Sequence, residues 1–257
     1  MIRMSTGRSL LHGTEDLLFP RRCPMCDRPV RPFGALACPE CEARVPVLSP
    51  ERDALCCRCG KPLRDASAEY CSDCRAQRHA FLRGCAVYRY REISGSIYRF
   101  KYEGRAEYAD FFGAKMARRL KEEFDPAKVD ALIPVPISAE RYRARGYNQA
   151  QLLARRIGED TGIPVRGDLL LRRKHTQALR GQSAGSRRTS LKSAFIVSGD
   201  DVKSKVYVLV DDIYTTGATL DACALALRRA GAGGVFFLTL AIGEDLLSRE
   251  DNDERYC

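Results

Sequence analysis

Lys205-Val206-Tyr207-Val208-Leu209-Val210-Asp211-Asp212-Ile213-Tyr214-Thr215-Thr216-Gly217-Ala218-Thr219 is the stretch on which the fold turns. Its first half is β-branched and aromatic, and too uniformly apolar for a strand with one wet face. A central strand of a parallel sheet has that composition. After Gly217 the apolar period changes: Leu220, Cys223, Ala224 and Leu227 recur at helical spacing, with Arg228-Arg229 in the last turn and Gly231 as the stop. Gly234-Val235-Phe236-Phe237-Leu238-Thr239-Leu240-Ala241 then reads as a second buried strand. The unit is βαβ, and in such sheets ligands sit beyond the carboxyl ends of the strands.

The residues at that position suit one kind of ligand. Gly217, with Ala218 beside it, lets successive backbone N–H groups curl around a phosphate at a helix amino terminus. Thr215, Thr216 and Thr219 add hydroxyl donors, and Asp211 and Asp212 stand one step upstream, where carboxylates accept hydrogen bonds from sugar hydroxyls. Asp and Thr also cap ordinary turns. The unbroken order of strand, acid pair, hydroxyl-glycine nest and helix is more specific, and describes a site for a ribose 5-phosphate.

Upstream, Asp130-Ala131-Leu132-Ile133-Pro134-Val135-Pro136 reads as another strand running into a loop. Arg141, Arg143 and Arg145 follow at alternate positions before a helix with Leu152, Leu153 and Ile157. Beside a phosphate site these arginines read as a wall for a pyrophosphate, which guanidinium groups can hold bidentately. Residues 141–192 carry thirteen Lys/Arg against three Asp/Glu, which accounts for the whole net charge of +10. An anionic partner is expected there.

Nine of the twelve cysteines lie between Cys23 and Cys74. Eight form Cys-x-x-Cys pairs: Cys23/Cys26, Cys38/Cys41, Cys56/Cys59 and Cys71/Cys74. A two-residue gap lets both thiolates reach one Zn²⁺, and two such turns complete a tetrahedron. Two successive ribbons are one arrangement and a cross-braced pair is the other. Cys57 could substitute for Cys56. The segment is poor in large apolar residues, so structural Zn²⁺ would supply much of its folding free energy. Cys85, Cys223 and Cys257 lack partners at ligand spacing.

Taken together, the Cys-x-x-Cys pairs, Phe100-Lys101-Tyr102-Glu103-Gly104, Ile133-Pro134-Val135-Pro136, Arg145-Gly146-Tyr147-Asn148-Gln149 and the Val210-Asp211-Asp212 loop resemble, in order, the ComF family of ComFC- and GntX-like proteins. The resemblance covers about residues 19–243. It implies an α/β fold of type I phosphoribosyltransferase kind, mostly a parallel sheet with flanking helices, joined to a double zinc ribbon. It further implies binding of phosphoribosyl pyrophosphate (PRPP) with Mg²⁺, with Asp211 and Asp212 as the catalytic acids. Thr215, Thr216, Gly217, Ala218, Thr219, Val135, Pro136, Arg141 and Arg145 would be the substrate-binding residues. Some family members are associated with uptake of transforming DNA, so single-stranded DNA and DNA-uptake proteins are implied partners. One departure is visible: where the family tends to have Arg, two residues, then Asn, Arg187 is followed by Ser190.

Four segments are expected: an amphipathic stretch at 1–22, the double ribbon at 23–80, the phosphoribosyltransferase-like domain at 84–243 and a polar tail at 244–257. Residues from about Arg172 to Arg188 form either a hood over the site or a surface insertion, with Lys174 and His175 as possible pyrophosphate contacts. No apolar run reaches the roughly 20 residues that cross a bilayer, and reduced thiols suit a cytoplasmic setting. Two functions fit these residues: Mg²⁺-assisted displacement of pyrophosphate from C1 of PRPP, or a non-catalytic protein that senses PRPP or binds single-stranded DNA.

Overall fold

A computed structural model describes residues 20–32, 34–173, 194–199 and 201–244. The expected 1–22 segment lies almost wholly outside them, as do Lys174, His175, Arg187, Ser190, Cys257 and nearly all of the polar tail. Two short helices, α1 (Pro39–Arg44) and α2 (Ser72–Ala76), belong to the cysteine region. Then follow β1 (Gly84–Arg89), α3 (Tyr90–Tyr102), α4 (Tyr108–Glu123), β2 (Ala131–Pro134), α5 (Ala139–Arg145) and α6 (Gln149–Thr161). A small hairpin, β3 (Leu170–Arg172) with β4 (Phe195–Val197), precedes β5 (Val206–Tyr214), α7 (Ala218–Arg229) and β6 (Gly234–Ile242).

The main sheet runs β1-β6-β5-β2, and every neighbouring pair is parallel. Burial on both sides explains the near-continuous apolar strands. Val208, Val210, Leu238 and Leu240 point to one face, where α3, α4 and α6 supply Ile97, Phe100, Phe112, Met116, Leu153 and Ile157. Tyr207, Leu209, Val235 and Phe237 point to the other, against Leu220, Cys223 and Leu227 of α7. The alternation follows from the period of two in a strand, and each fully buried Leu, Val or Phe contributes roughly 1.5–3 kcal/mol. The mostly parallel, helix-flanked sheet is the architecture read from the sequence.

The cysteine region contributes to both cores. Cys23, Val30 and Ala37 join the face that carries α3 and α4. Cys56, Cys59, Cys71, Cys74 and Phe81 join the face that carries α7. Backbone bonds stitch the second ribbon to the sheet: Gly84 N to Arg58 O at 2.8 Å, and Leu82 N to Val235 O at 2.8 Å. Gly60 permits that approach, because a Cβ there would meet Cys85 Cα and the Gly84 carbonyl at 3.1 Å, and its φ is +74°. Leu48 N bonds the Val87 carbonyl at 2.8 Å. The exposed edge of β1 is thereby covered, as sheet edges require.

Candidate functional site

Asp211 and Asp212 lie near the carboxyl end of β5, with Asp211 in register with Thr239. The strand continues to Tyr214, so the two acids project before the turn rather than within it. Asp212 is 9% exposed, and the Lys101 Nζ stands 2.8 Å from its Oδ2. The Asp212 N–H donates to Asp211 Oδ1 at 2.9 Å. Burial and the adjacent Asp212 charge push the Asp211 carboxyl up to about 8, against that hydrogen bond and the fields of Lys101 and Arg141. Below it, the buried Cys223 thiol is raised well above its ordinary value by burial and by Asp211.

Gly217 is the N-cap of α7, with φ +76°, and supplies no side-chain cap. The first N–H groups of α7 therefore have no side-chain cap from Gly217. Thr215 and Thr216 are exposed, Ala218 and Thr219 half-buried. A Cβ at Gly217 would lie 2.4 Å from Tyr214 Oη and 2.7 Å from Cζ. The glycine is thus demanded by the protein's own ring and by its left-handed backbone. That ring is pinned, stacked on Phe237 with centroids 5.0 Å apart at 13° and edge-on to Phe81 at 6.3 Å.

Around the mouth, the arginines do not lie on a loop. They sit on α5, which Ser138 opens by accepting from Arg141 N at 3.3 Å. At 100° per residue, Arg141 and Arg145 share a face and Arg143 points away from both. Arg143 Nε turns back to the Ala139 carbonyl at 3.3 Å. Arg145 is held by Gln149 Oε1 at 3.0 Å and lies over the Tyr102 ring, 5.0 Å from its centroid. Val135 is buried, its N–H bonded to Val210 O at 2.9 Å and its carbonyl to Asn148 Nδ2 at 3.0 Å. Both of its backbone groups are engaged, so its part is to brace β2 on β5 and on α6. Pro136 beside it is half-buried.

Lys101 belongs to the Phe100–Gly104 motif, and nothing in that motif's spacing points it at Asp212. The signal that could have singled it out is a lysine between buried Phe100 and exposed Tyr102 in the last turn of a helix. Arg172, on β3, also converges: burial and then the Arg141 charge lower it, and it faces Phe195 at 5.5 Å.

The eight paired cysteines form two groups, Cys23/Cys26/Cys38/Cys41 and Cys56/Cys59/Cys71/Cys74, each with its sulfurs within 4.8 Å of one another. The pairs are successive, not cross-braced. Cys57 is exposed and outside the second group. Cys59 and Cys71 sulfurs stand 3.6 Å apart, close to the edge of about 3.8 Å for a tetrahedron with 2.3 Å bonds. Hydrogen bonds from Cys59, Cys71 and Cys74 hold the Cys56 thiol far below its ordinary value. Four sulfurs gathered this closely, with no disulfide among them, fit a divalent ion that would replace their protons.

Residues 14–75 match the double zinc ribbon domain. Along the chain, competence protein F of Haemophilus influenzae is 42% identical over 104 residues, 40% of this chain and 45% of that protein. Competence protein ComFC of Bacillus subtilis is 31% identical over 157 residues, 60% and 62% of the two chains. This chain is similar in sequence to the competence proteins ComFC and F. The DNA utilization protein YhgH of Salmonella typhi is 31% identical over 150 residues, 56% of this chain and 64% of its own. The matches thus span less than two thirds of these relatives. Among solved structures, a purine phosphoribosyltransferase from Pyrococcus horikoshii covers 52% of this chain and 73% of its own at 21% identity, with a TM-score of 0.35. The ribbon match and the two sulfur clusters support structural zinc. Among the described residues no helix is long and apolar enough to cross a membrane.

Proposed function

We propose that the loop from Asp211 to Thr219 binds the ribose 5-phosphate part of PRPP. The observation that carries this reading is the uncapped amino terminus of α7, opened by a left-handed Gly217 one short turn after a carboxylate pair at the end of β5. The N–H groups of Ala218 and Thr219 and the hydroxyls of Thr215 and Thr216 would hold the phosphate. Asp211 and Asp212 would accept from the ribose hydroxyls. Lys101 compensates Asp212 before the ligand arrives and holds the carboxylate in place. Arg141, on the exposed face of α5, stands where its charge is felt at Asp211 and would meet the pyrophosphate.

Two carboxylates are hard oxygen donors that suit Mg²⁺, which PRPP would bring with it. The ion would neutralise charge that develops on a departing pyrophosphate. In a transfer the C1–O bond to pyrophosphate breaks and a C1–acceptor bond forms, while the acceptor loses its proton. The names of the relatives suggest a setting in competence or DNA utilization, where DNA-uptake proteins would be partners. Eight paired thiols favour a reducing, cytoplasmic setting.

Calorimetry with PRPP and Mg²⁺ tests the binding, and pyrophosphate release against nucleobases and nucleosides tests the transfer. Asp212→Asn is expected to weaken PRPP more than inorganic phosphate, since only PRPP has the sugar hydroxyls. No heat of binding at millimolar PRPP would sink the assignment. Binding without pyrophosphate release would leave a sensor of PRPP.

A further inference from the structure

Tyr214 ends β5 on the face of the sheet that meets the second cysteine group, and it shares a core there with Cys56, Cys59, Cys71 and Cys74. Its hydroxyl is the atom that a Cβ at Gly217 would meet first, at 2.4 Å. That hydroxyl is buried and has no hydrogen-bond partner among the described residues. Burial keeps it protonated, and after burial the charges that reach it are those of Cys59, Cys74, Cys71 and Asp73. One ring thus has the turn before α7 on one side and the second ribbon on the other.

Lys61 joins the two sides. It lies two residues after Cys59 and is fully buried, at 0% exposure, where an ammonium has to be paired. Its Nζ meets Asp73 Oδ2 at 2.6 Å, which ties the Cys56/Cys59 knuckle to the Cys71/Cys74 knuckle. The same Nζ stands 5.8 Å from the centroid of the Tyr214 ring, within reach of its π-face. The Lys61 carbonyl accepts from Cys56 N at 2.8 Å. A second connection runs just beyond the ribbon: Ala80 N donates to Asp221 Oδ1 at 2.6 Å, and His79 Nδ1 stands 3.5 Å from that oxygen. Asp221 is in the first turn of α7, where its own N–H donates to Gly217 O at 2.7 Å. The first cysteine group is placed differently. Arg99 of α3 donates to Met25 O at 2.8 Å, and Tyr108 of α4 donates to Asp27 Oδ1 at 2.6 Å. Those contacts belong to the opposite face of the sheet from Tyr214.

We propose that the second zinc cluster is the footing of the phosphate loop, with Lys61 and Tyr214 as the positioning residues that carry its constraint to Gly217. The proposal rests on the phosphoribosyl reading for what the loop holds. A bound ion fixes both knuckles of the ribbon, and with them the Lys61–Asp73 pair between the knuckles. Tyr214 is then clamped among that pair, Phe237 and Phe81, and Gly217 has a rigid wall to turn against. Without the ion the knuckles, the pair and the ring loosen in turn. The coupling is reciprocal: if the second ion favours PRPP, PRPP makes the protein hold the second ion more tightly. The two clusters are therefore unequal, one serving the site and the other the far face of the sheet.

The test uses the full chain, equilibrated in buffers of graded free zinc with and without saturating PRPP and Mg²⁺. Free thiols are then pulse-alkylated and mapped by peptide mass spectrometry, which gives the zinc midpoint of each cysteine group separately. Coupled sites shift one another by roughly 5- to 150-fold, so PRPP should lower the midpoint of Cys56, Cys59, Cys71 and Cys74 within that range and leave Cys23, Cys26, Cys38 and Cys41 within about twofold. Without ligand, Tyr214→Leu and Lys61→Met, made separately, should each raise the midpoint of the second group by about fivefold or more and leave the first group within about twofold. Tyr214→Phe keeps the ring and should behave as wild type. Equal shifts of both groups by PRPP, or none in the second group while calorimetry shows PRPP bound, would overturn the footing. If calorimetry shows no PRPP binding, the phosphoribosyl reading falls and the two variants decide alone: a weakened second group keeps the coupling of metal to loop, and unchanged midpoints end it.

Discussion

Gly217→Ala adds one methyl group, and the structure says what that methyl would meet. Its Cβ would lie 2.4 Å from Tyr214 Oη, 2.7 Å from Cζ and 2.9 Å from Cε2, at a φ of +76°. A non-glycine residue in the left-handed region costs about 1–2 kcal/mol. Over-packing against a ring that cannot retreat costs about 1–3 kcal/mol more, and Phe237 stacked behind Tyr214 denies the retreat. The substitution should therefore lower stability by roughly 2–5 kcal/mol. Tyr214→Leu removes the ring, so in that background Gly217→Ala should cost only the backbone part, about 1–2 kcal/mol. Urea unfolding of the four proteins, with zinc in excess, gives the coupling as a double-mutant cycle. A coupling energy near zero would show that the ring does not dictate the glycine, and the requirement would then return to the ligand. Calorimetry with PRPP on the same four proteins should show loss of binding in Gly217→Ala and partial recovery in the double variant.

Asp211 gives a pH signature. Its folded carboxyl is raised to about 8, so the folded state holds a proton more tightly than the unfolded chain, whose carboxyl titrates near 4. Stability should therefore fall as pH rises from about 4 to about 8, and Asp211→Asn should remove that component of the slope in thermal unfolding across the range. Lys101→Met should lower PRPP affinity about tenfold or more in calorimetry, because Asp212 loses the cation that positions it; unchanged affinity would remove Lys101 from the site. Purified protein should contain two zinc ions per chain by atomic emission. Stripping them with a chelator should lower the melting temperature of the sheet as well as of the ribbons, because each ribbon shares a core with one face of the sheet; an unchanged sheet transition would refute that sharing. Arg119 and Glu123 form a nearly buried pair at 2.9 Å, so Glu123→Ala should cost about 3–5 kcal/mol in urea unfolding, while Arg119→Met/Glu123→Leu should be close to neutral.

The β5–loop–α7 unit was legible because its period changes from two to 3.6 at a glycine, and nothing distant is needed to see that. The four Cys-x-x-Cys pairs were equally plain, since metal spacing is a local property. Their successive pairing was not, because spacing permits both arrangements and only packing on the sheet decides between them. The arginine segment read as a loop since alternate charges mask a two-turn helix, and Ser138 as its cap becomes evident only once the side chain is seen to accept from Arg141. Lys101 and Tyr102 were hidden for a different reason. Their meaning comes from Asp212 and Arg145, partners 111 and 43 residues away in sequence. The charge surplus of residues 141–192 is a property of composition, and it raises the expectation of an anion there without naming the residues that would meet it.

The strand order has a kinetic consequence. Strand β1 pairs with β6 and with no other strand of the sheet. On a ribosome its backbone must wait for some 150 further residues before its neighbour exists, an interval of roughly 7–30 s at 5–20 residues per second. Closing so long a loop makes the last step of sheet assembly slow. The ribbons, by contrast, close over short loops and can capture metal while the rest is being made. The nascent chain thus starts from a finished metal-bound clasp that holds β1 in place and ends when the final strand slides between two already present, and any truncation within β6 would strand the first strand together with the last.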